Sequence, residues 1–266
     1  MATITSLVDT TTTTNQGKVG DTVNINGTAL GTTTSVNFGG TTVTPTSVSA
    51  TLVTFVIPST APCAGQVQVS VNLSNGTKSN ALPFFIVSSP STATASPTCL
   101  PTTGGALTIT GTGFASGGQV NVGTLTPVTF AAGGSNTTLT VTAPAHTPTG
   151  CSDSQPITVT TPGGTGTTGT AFVTYQKAPT ITGTSPASGP IGTSVTINGS
   201  CFDNLISVTY TDSTGNTETD TTAASFGTFV LSTVPDNTLV PDNATPGTIT
   251  VTTCGGSTTT PFTITT

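Results

Sequence analysis

The fold is decided by a short motif that this chain carries three times. Residues 191–202 read IGTSVTINGSCF, residues 103–114 read TGGALTITGTGF, and residues 19–30 read VGDTVNINGTAL. Each copy has a glycine turn, a run in which every second residue is apolar, a second glycine, and then Phe or Leu. Such alternation is typical of a strand that is buried on one face. The second glycines lie 84 and 88 residues apart, so we predict three copies of one β-rich unit.

Short apolar–polar alternations separated by turn residues continue through all three copies, and no long stretch has helical periodicity. This spacing is typical of a Greek-key sandwich. We therefore predict an all-β chain of three tandem immunoglobulin-like β-sandwich domains, at residues 1–88, 89–177 and 178–266. Proline in the linkers at 88–90 and 176–179 predicts that the domains form a semi-rigid, elongated rod.

Composition restricts the partners that this chain can bind. Only 5% of the 266 residues are charged, the formal net charge is −6, and the chain has three lysines and no arginine. Nucleic-acid binding depends on Lys and Arg that neutralise phosphates, so we expect no nucleic-acid partner. No apolar run approaches the roughly 18–20 residues that span a bilayer, so we expect no membrane insertion.

The ends of the chain show no sorting signal. Residues 1–7 read MATITSL and lack the basic region and apolar stretch of a signal peptide. The last residues read as the closing strand of the third copy, with no anchor visible after it. We expect either a protein that is exported or assembled without a signal, or a fragment of a longer surface protein.

The third copy resembles a known family. Residues 179–202, PTITGTSPASGPIGTSVTINGSCF, resemble the opening of IPT/TIG domains in their Ser-Pro, their Gly-Pro-Ile-Gly-Thr turn and their Val-x-Ile-x-Gly-x-x-Phe strand. Residues 171–175 and 261–264 look like the closing strand of the family. The second copy fits fairly well, whereas the first lacks the Ser-Pro and has Leu30 in place of the aromatic residue.

The resemblance implies an immunoglobulin-like early-set sandwich. Such modules occur in bacterial surface proteins, receptor ectodomains, polysaccharide-acting enzymes and some transcription factors. The shortage of basic residues argues against the last group, and the fold itself does not select a function.

Five cysteines can be compared with the topology that this fold implies. Cys201 follows strand B and Cys254 follows strand F, whose ends meet at one pole, so we predict a Cys201–Cys254 disulfide. Cys99 and Cys151 lie in loops at the opposite pole of the second domain, so we predict a Cys99–Cys151 disulfide. Cys63 has no mate in its own domain and is predicted to be a free thiol or an intermolecular partner. Disulfides would place the protein outside the cell or on a particle, and five reduced thiols are the alternative.

Acidic residues concentrate in the third domain. Asp212, Glu218 and Asp220 surround a glycine and offer the oxygen ligands that Ca²⁺ prefers, although their spacing does not match an EF-hand. We favour a solvated hairpin over this weak calcium site, and we expect no other cofactor. The remaining acids of this domain are Asp203, Asp236 and Asp242.

We expect no catalytic residue. His146, the single histidine, lies in a proline-rich turn without a visible nucleophile or Gly-x-Ser-x-Gly elbow, and we interpret it as an exposed loop residue. Six phenylalanines fall at strand or repeat positions, and we expect them in the core rather than on a sugar-stacking platform: Phe38, Phe114, Phe202, Phe226, Phe229 and Phe262.

We therefore predict a non-enzymatic structural or adhesive protein that is displayed on a virion or cell surface. It would act as a decoration, fibre or appendage subunit through spacing and multivalent weak contacts. Its expected partners are proteins, either other copies or a capsid or envelope protein, with surface glycans as a further candidate.

Two other functions stay open. One is a carbohydrate- or ligand-binding accessory module of a secreted protein. The other is binding to ice or mineral, which needs Thr-x-Thr rungs in register on one flat face, and a twisted sandwich does not promise such a face.

Overall fold

The computed structural model of the protein describes residues 1–61, 65–87, 89–114, 117–131, 134–166, 171–235 and 238–266. Within these ranges every regular element is a strand and none is a helix, which confirms the all-β prediction. It follows that none of the described segments is a long apolar helix that could cross a membrane. We call residues 1–88, 89–177 and 178–266 repeats one, two and three.

Repeat one folds into two sheets around an apolar core. Its strands are β1 (Thr3–Asp9), β2 (Gln16–Gly17), β3 (Thr22–Thr28), β4 (Thr33–Phe38), β5 (Thr41–Val43), β6 (Ser47–Val48), β7 (Leu52–Val56), β8 (Gly65–Leu73) and β9 (Leu82–Ile86). The sheet orders are β1-β3-β7-β6 and β2-β9-β8-β4-β5. The ring of Phe38 lies 5.5 Å from that of Phe55 and 6.2 Å from that of Phe84, and these rings help to fill the core.

Repeat two follows the same plan. Its strands are β10 (Ser91–Ser96), β11 (Cys99–Pro101), β12 (Gly105–Thr112), β13 (Gly118–Val122), β14 (Val128–Phe130), β15 (Thr138–Ala143), β16 (Ser152–Thr161), β17 (Gly164–Thr165) and β18 (Phe172–Gln176). One sheet has the order β10-β12-β15 and the other β11-β18-β16-β13-β14, with β17 paired to β16. Leu107, Ile109 and Tyr175 are among its buried side chains.

Repeat three also consists of two sheets. Its strands are β19 (Thr180–Ser185), β20 (Ser188–Pro190), β21 (Ser194–Ser200), β22 (Leu205–Thr211), β23 (Thr217–Asp220), β24 (Ala224–Ser225), β25 (Phe229–Thr233), β26 (Gly247–Thr253) and β27 (Gly256–Thr265). The sheet orders are β19-β21-β25-β24 and β20-β27-β26-β22-β23. A short strand runs parallel to the last strand in every repeat, β2 with β9, β11 with β18 and β20 with β27.

The motif forms the second long strand of each repeat. In β21, Val195 and Ile197 are fully buried, which confirms them as core residues, and Phe202 closes the core behind them. Gly199 lies within the strand, and a Cβ atom there would stand 2.7 Å from the Phe202 ring and overlap the Thr180 carbonyl. Close packing therefore explains this glycine.

The described chain divides into two compact units that do not coincide with the repeats. Unit 1 contains residues 1–95, 108–141 and 156–171, and unit 2 contains residues 96–107, 142–155 and 172–266. Each described sheet nevertheless takes its strands from one repeat. The domain boundaries at 88/89 and 177/178 stay predictions.

Candidate functional site

The disulfides of unit 2 join repeats two and three, which corrects the predicted pairing. Cys99 bonds to Cys254 and Cys151 bonds to Cys201, with Cα–Cα distances of 6.1 and 5.0 Å. The pairs Cys99–Cys151 and Cys201–Cys254 are therefore wrong, although the same four cysteines are oxidised. Cys63 lies outside the described residues, so its role stays a prediction.

A buried linker residue explains why the bonds cross between repeats. Gln176 ends β18 and is fully buried. Its amide donates hydrogen bonds to the carbonyls of Cys201 and Asp203, and its Oε1 accepts one from Asn204 at 2.8 Å. The end of repeat two therefore lies directly against the loops of repeat three. Our prediction assumed that each disulfide stays within one domain, and the sequence had no sign that Gln176 is buried.

The proposed calcium ligand Asp212 anchors a loop. Its carboxylate accepts five hydrogen bonds of 2.8–3.0 Å, two each from Thr214 and Asn216 and one from the Val240 N–H. Burial alone raises the pKa of Asp212, but these donors outweigh it and hold the pKa well below its usual range. A carboxylate that is surrounded by N–H and O–H donors has little capacity left for a cation.

Asp220 has a similar structural role. Its carboxylate accepts hydrogen bonds from the Thr222 N–H and hydroxyl, the Ser232 hydroxyl and the Thr233 N–H, at 2.6–2.8 Å. Burial raises the pKa of Asp220, but the donors together lower it. The buried Tyr210 hydroxyl donates to Ser232 at 3.1 Å, and burial raises the pKa of Tyr210 to about 12.

Glu218, the third proposed ligand, lies on the same strand as Asp220 but binds elsewhere. Its carboxylate accepts a hydrogen bond of 3.0 Å from the Thr238 N–H. In the part of the chain that the structure describes, no three His, Cys, Asp or Glu side chains come together in a group that could hold a metal ion. Asp236 lies outside those residues.

His146 is half-buried rather than exposed, and it is paired. Its Nε2 lies 2.9–3.0 Å from the carboxylate oxygens of Asp153, and its ring meets Tyr175 edge-on at 5.2 Å. The hydrogen bond from His146 lowers the pKa of Asp153. The Tyr175 hydroxyl donates to the Pro144 carbonyl. These contacts hold the proline-rich turn against β18.

Two phenylalanines that we expected in the core form an exposed platform instead. Phe226 is 55% exposed and Phe229 is half-buried. Their rings stack at 4.8 Å with an angle of 12° between planes. Leu231, which is 40% exposed, lies two residues further along β25 on the same face. We call Phe226, Phe229 and Leu231 the aromatic platform.

The first two repeats have polar residues at most platform positions. The hydrogen bond from the Phe226 N–H to the Phe229 carbonyl in repeat three has its counterpart in repeat one, from Ser49 to Leu52. A second backbone hydrogen bond, donated by the N–H of the motif glycine, occurs in all three repeats and gives the same alignment. It joins Gly199 to Thr228, Gly27 to Thr51 and Gly111 to Thr137. The platform positions are thus Ser49, Leu52 and Thr54 in repeat one, and Ser135, Thr138 and Thr140 in repeat two.

Repeat three also contains an open pocket of about 370 Å³. It lies where β23 crosses over to β24, beside the end of β25. Its lining consists of Ile191, Gly192, Glu218, Thr219, Asp220, Thr221, Thr222, Thr233, Val234 and Pro235. The pocket therefore combines threonine residues, carboxylates and a few apolar side chains.

The second sheet of repeat three carries threonines in register. Thr219, Thr209, Thr250 and Thr259 form one row across β23, β22, β26 and β27. The Thr209–Thr219 and Thr250–Thr259 hydroxyls are each 3.1 Å apart. One row of threonines is therefore in register on this face, and its hydroxyls partly bond to one another, while ice or mineral binding stays a prediction.

Sequence comparison identifies the family. Residues 2–86 and 90–175 match the IPT/TIG domain, which together is more than half of the chain. The chain belongs to the IPT/TIG family. The matched TIG domains are repeats one and two, and repeat three has a strand plan of the same kind. Comparison with curated proteins finds no significant match.

Alignments with solved structures have low identity and low TM-scores. One is a protein crystallised with a xylogluco-oligosaccharide, at 17% identity and a TM-score of 0.45, where the alignment covers 98% of this chain and 59% of that protein. Another is SGBP-B from a xyloglucan utilization locus of Bacteroides uniformis, at 15% identity and a TM-score of 0.29, covering 100% and 94%. The I9–I11 tandem of titin has 10% identity and a TM-score of 0.29, covering 100% and 99%.

Proposed function

We propose that this chain is a non-enzymatic, extracellular accessory module that binds carbohydrate through the aromatic platform of repeat three. The single observation that carries the proposal is the stacking of the exposed Phe226 on the half-buried Phe229. The two disulfides support an extracellular location, because such bonds persist in oxidising environments.

The platform suits a sugar because of the chemistry of an aromatic face. The ring face carries partial negative charge, and the C–H bonds on one side of a pyranose present partial positive charge and apolar surface. A group of exposed large apolar side chains on a threonine-rich surface marks an interaction site more often than a single exposed residue does. Ser and Thr at the equivalent positions of repeat two show that the fold does not need an aromatic residue there.

The charge of the chain favours a neutral carbohydrate over an acidic one. The formal net charge is −6, and repeat three contains no lysine. Acidic polysaccharides would be repelled at low ionic strength, when screening is weak. A neutral polysaccharide has no such penalty, and it binds through stacking and hydroxyl contacts.

The test is affinity electrophoresis in gels that contain neutral polysaccharides, together with pull-down on cellulose and chitin. We expect retardation by at least one of them. Replacing Phe226→Ser, Phe229→Thr and Leu231→Thr gives repeat three the platform residues of repeat two, and we expect it to weaken binding by at least about tenfold, or about 1.4 kcal/mol.

Phe172→Thr is the matched control, because Phe172 is 49% exposed on β18 and lies outside the platform. We expect it to bind like the wild type, and thermal unfolding verifies that each variant is folded. Binding that survives the triple substitution, or no retardation by any polysaccharide, would contradict the proposal.

Structural display on a virion or cell surface is a second candidate. The disulfides favour it, because within unit 2 they covalently join segments of repeat two to repeat three. On this proposal the partner is another protein, and the platform substitutions leave assembly unchanged. Immunogold imaging of the native particle or cell tests it, and labelling confined to the cell interior would exclude display.

A further inference from the structure

The pocket of repeat three lies in line with the aromatic platform. Along β25, burial alternates, so that Phe229, Leu231 and Thr233 share the outer face while Val230 and Ser232 point inward. Phe229 and Leu231 belong to the platform, and Thr233 lines the pocket. At about 3.3 Å per residue, Thr233 lies about 13 Å from Phe229 along the strand.

The edge of the sheet is open along this path. The edge strand β24 pairs only through Ala224 with Leu231 and Ser225 with Val230. Beyond this point the N–H of Thr233 is bound by the Asp220 carboxylate instead of a neighbouring strand. The strand pairing at this edge therefore ends at Leu231, and the pocket begins directly after it.

The pocket has the chemistry of a site for sugar hydroxyls. Thr221 and Thr222 are exposed at its wall, and Glu218 and Asp220 also line it. Ile191, 37% exposed, adds an apolar surface. The hydroxyls of the exposed Thr221 and Thr222 can bond to sugar hydroxyls, and the negative charge of Glu218 and Asp220 repels anions, so the pocket suits a neutral, hydroxyl-rich ligand.

We propose that the aromatic platform and this pocket are two subsites of one strip, which binds a neutral oligosaccharide longer than a disaccharide. One sugar stacks on Phe226 and Phe229, the chain passes over Leu231, and a sugar further along places its hydroxyls among the pocket threonines and Glu218. This inference rests on the proposed carbohydrate binding and adds the extent of the site and the class of ligand.

The test is calorimetric titration with neutral gluco- and manno-oligosaccharides from the disaccharide to the hexasaccharide. We expect affinity to rise by about tenfold once the ligand spans both subsites. Thr221→Phe, which fills the pocket, removes this gain with length. Thr42→Phe is the control, because it adds the same side chain at an exposed position on β5 of repeat one.

Thr221→Val keeps the shape of the side chain and removes only its hydroxyl, so it serves if Thr221→Phe does not fold. We expect it to lose part of the gain with length. Affinity that does not depend on length, or an unchanged length dependence in both Thr221 variants, overturns the two-subsite strip while the platform proposal stands. Binding of these oligosaccharides that is insensitive to the platform substitutions overturns both.

Discussion

At the scale of single residues, the motif glycines act through close packing. In all three repeats a Cβ atom on the glycine would overlap the backbone of the first strand, at Thr3, Ser91 or Thr180. Two positions later the backbone has positive φ in each copy, at Ala29, Gly113 and Cys201. This turn brings Leu30, Phe114 or Phe202 back over the core. The left-handed turn also holds Cys201 at the position where it bonds to Cys151.

We predict that Gly199→Ala destabilises the protein by about 1–3 kcal/mol, because overpacking displaces Phe202 or separates β19 from β21. Gly183→Ala is the matched control in the same sheet. No atom lies within 4 Å of a Cβ at Gly183, and its φ is not positive, so we expect a change within about 0.5 kcal/mol. Chemical denaturation measures both values, and equal stabilities of the two variants would contradict the packing argument.

At the scale of elements, aspartates organise the loops of repeat three. Asp212 holds the β22–β23 hairpin to Val240, and Asp220 holds the β23–β24 crossover to the end of β25. Asp242 accepts hydrogen bonds from Ala244 and Thr245 in the loop before β26, and these donors lower its pKa. The residues that looked like metal ligands in sequence therefore replace backbone pairing where strands end.

These carboxylates predict acid sensitivity. The pKa values of Asp153, Asp212, Asp220 and Asp242 are lowered in the folded state, and all four lie in unit 2. Because the folded state favours the ionised form, these aspartates stabilise it fully above the unfolded pKa of about 3.9. It is lost as the pH falls through that value toward the lower folded pKa values.

We expect the thermal midpoint of unit 2 to fall steeply below about pH 4. Asp212→Asn combined with Asp220→Asn should lower stability at pH 7 and flatten this pH dependence. Scanning calorimetry from neutral to strongly acidic pH at constant ionic strength measures both effects. A double variant that keeps the wild-type pH dependence would show that other groups cause it.

At the scale of the whole molecule, the disulfides determine which parts are covalently joined. Their loops close over 155 and 50 residues. A disulfide that closes a loop of this size typically stabilises a protein by about 2–4 kcal/mol. Both bonds lie in unit 2, which also contains Gln176, so the junction between repeats two and three is part of a compact body.

The lysines allow a direct test of this connectivity. The sequence has three lysines and no arginine, so trypsin cuts only after Lys18, Lys78 and Lys177, and complete digestion after non-reducing denaturation separates the backbones of repeats two and three. We expect peptides 79–177 and 178–266 to stay covalently linked until a reductant is added. Further cleavage with chymotrypsin, at the phenylalanines that lie between the two cysteines of each peptide, then assigns Cys99–Cys254 and Cys151–Cys201. Peptides that separate without reductant would contradict both disulfides.

The sequence by itself determined the strands, the repeats and the apolar core. Alternation at Val195 and Ile197 is a local property, since side chains of a strand point to opposite faces at every step. The sequence also identified the four cysteines that form disulfides. Periodicity, however, places a residue on one face or the other without showing what covers that face, and for this reason the prediction of Phe226 and Phe229 in the core is wrong.

Only the tertiary structure decided which residues lie together across long distances. The partner of a cysteine depends on which loops of two sandwiches face each other, and this follows from the buried Gln176 at their junction. The platform and the pocket likewise arise from the position of β25 beside a short edge strand and from the crossover that contains Asp220. Sequence spacing carries no information on such contacts, because they join segments that many chain paths could bring together.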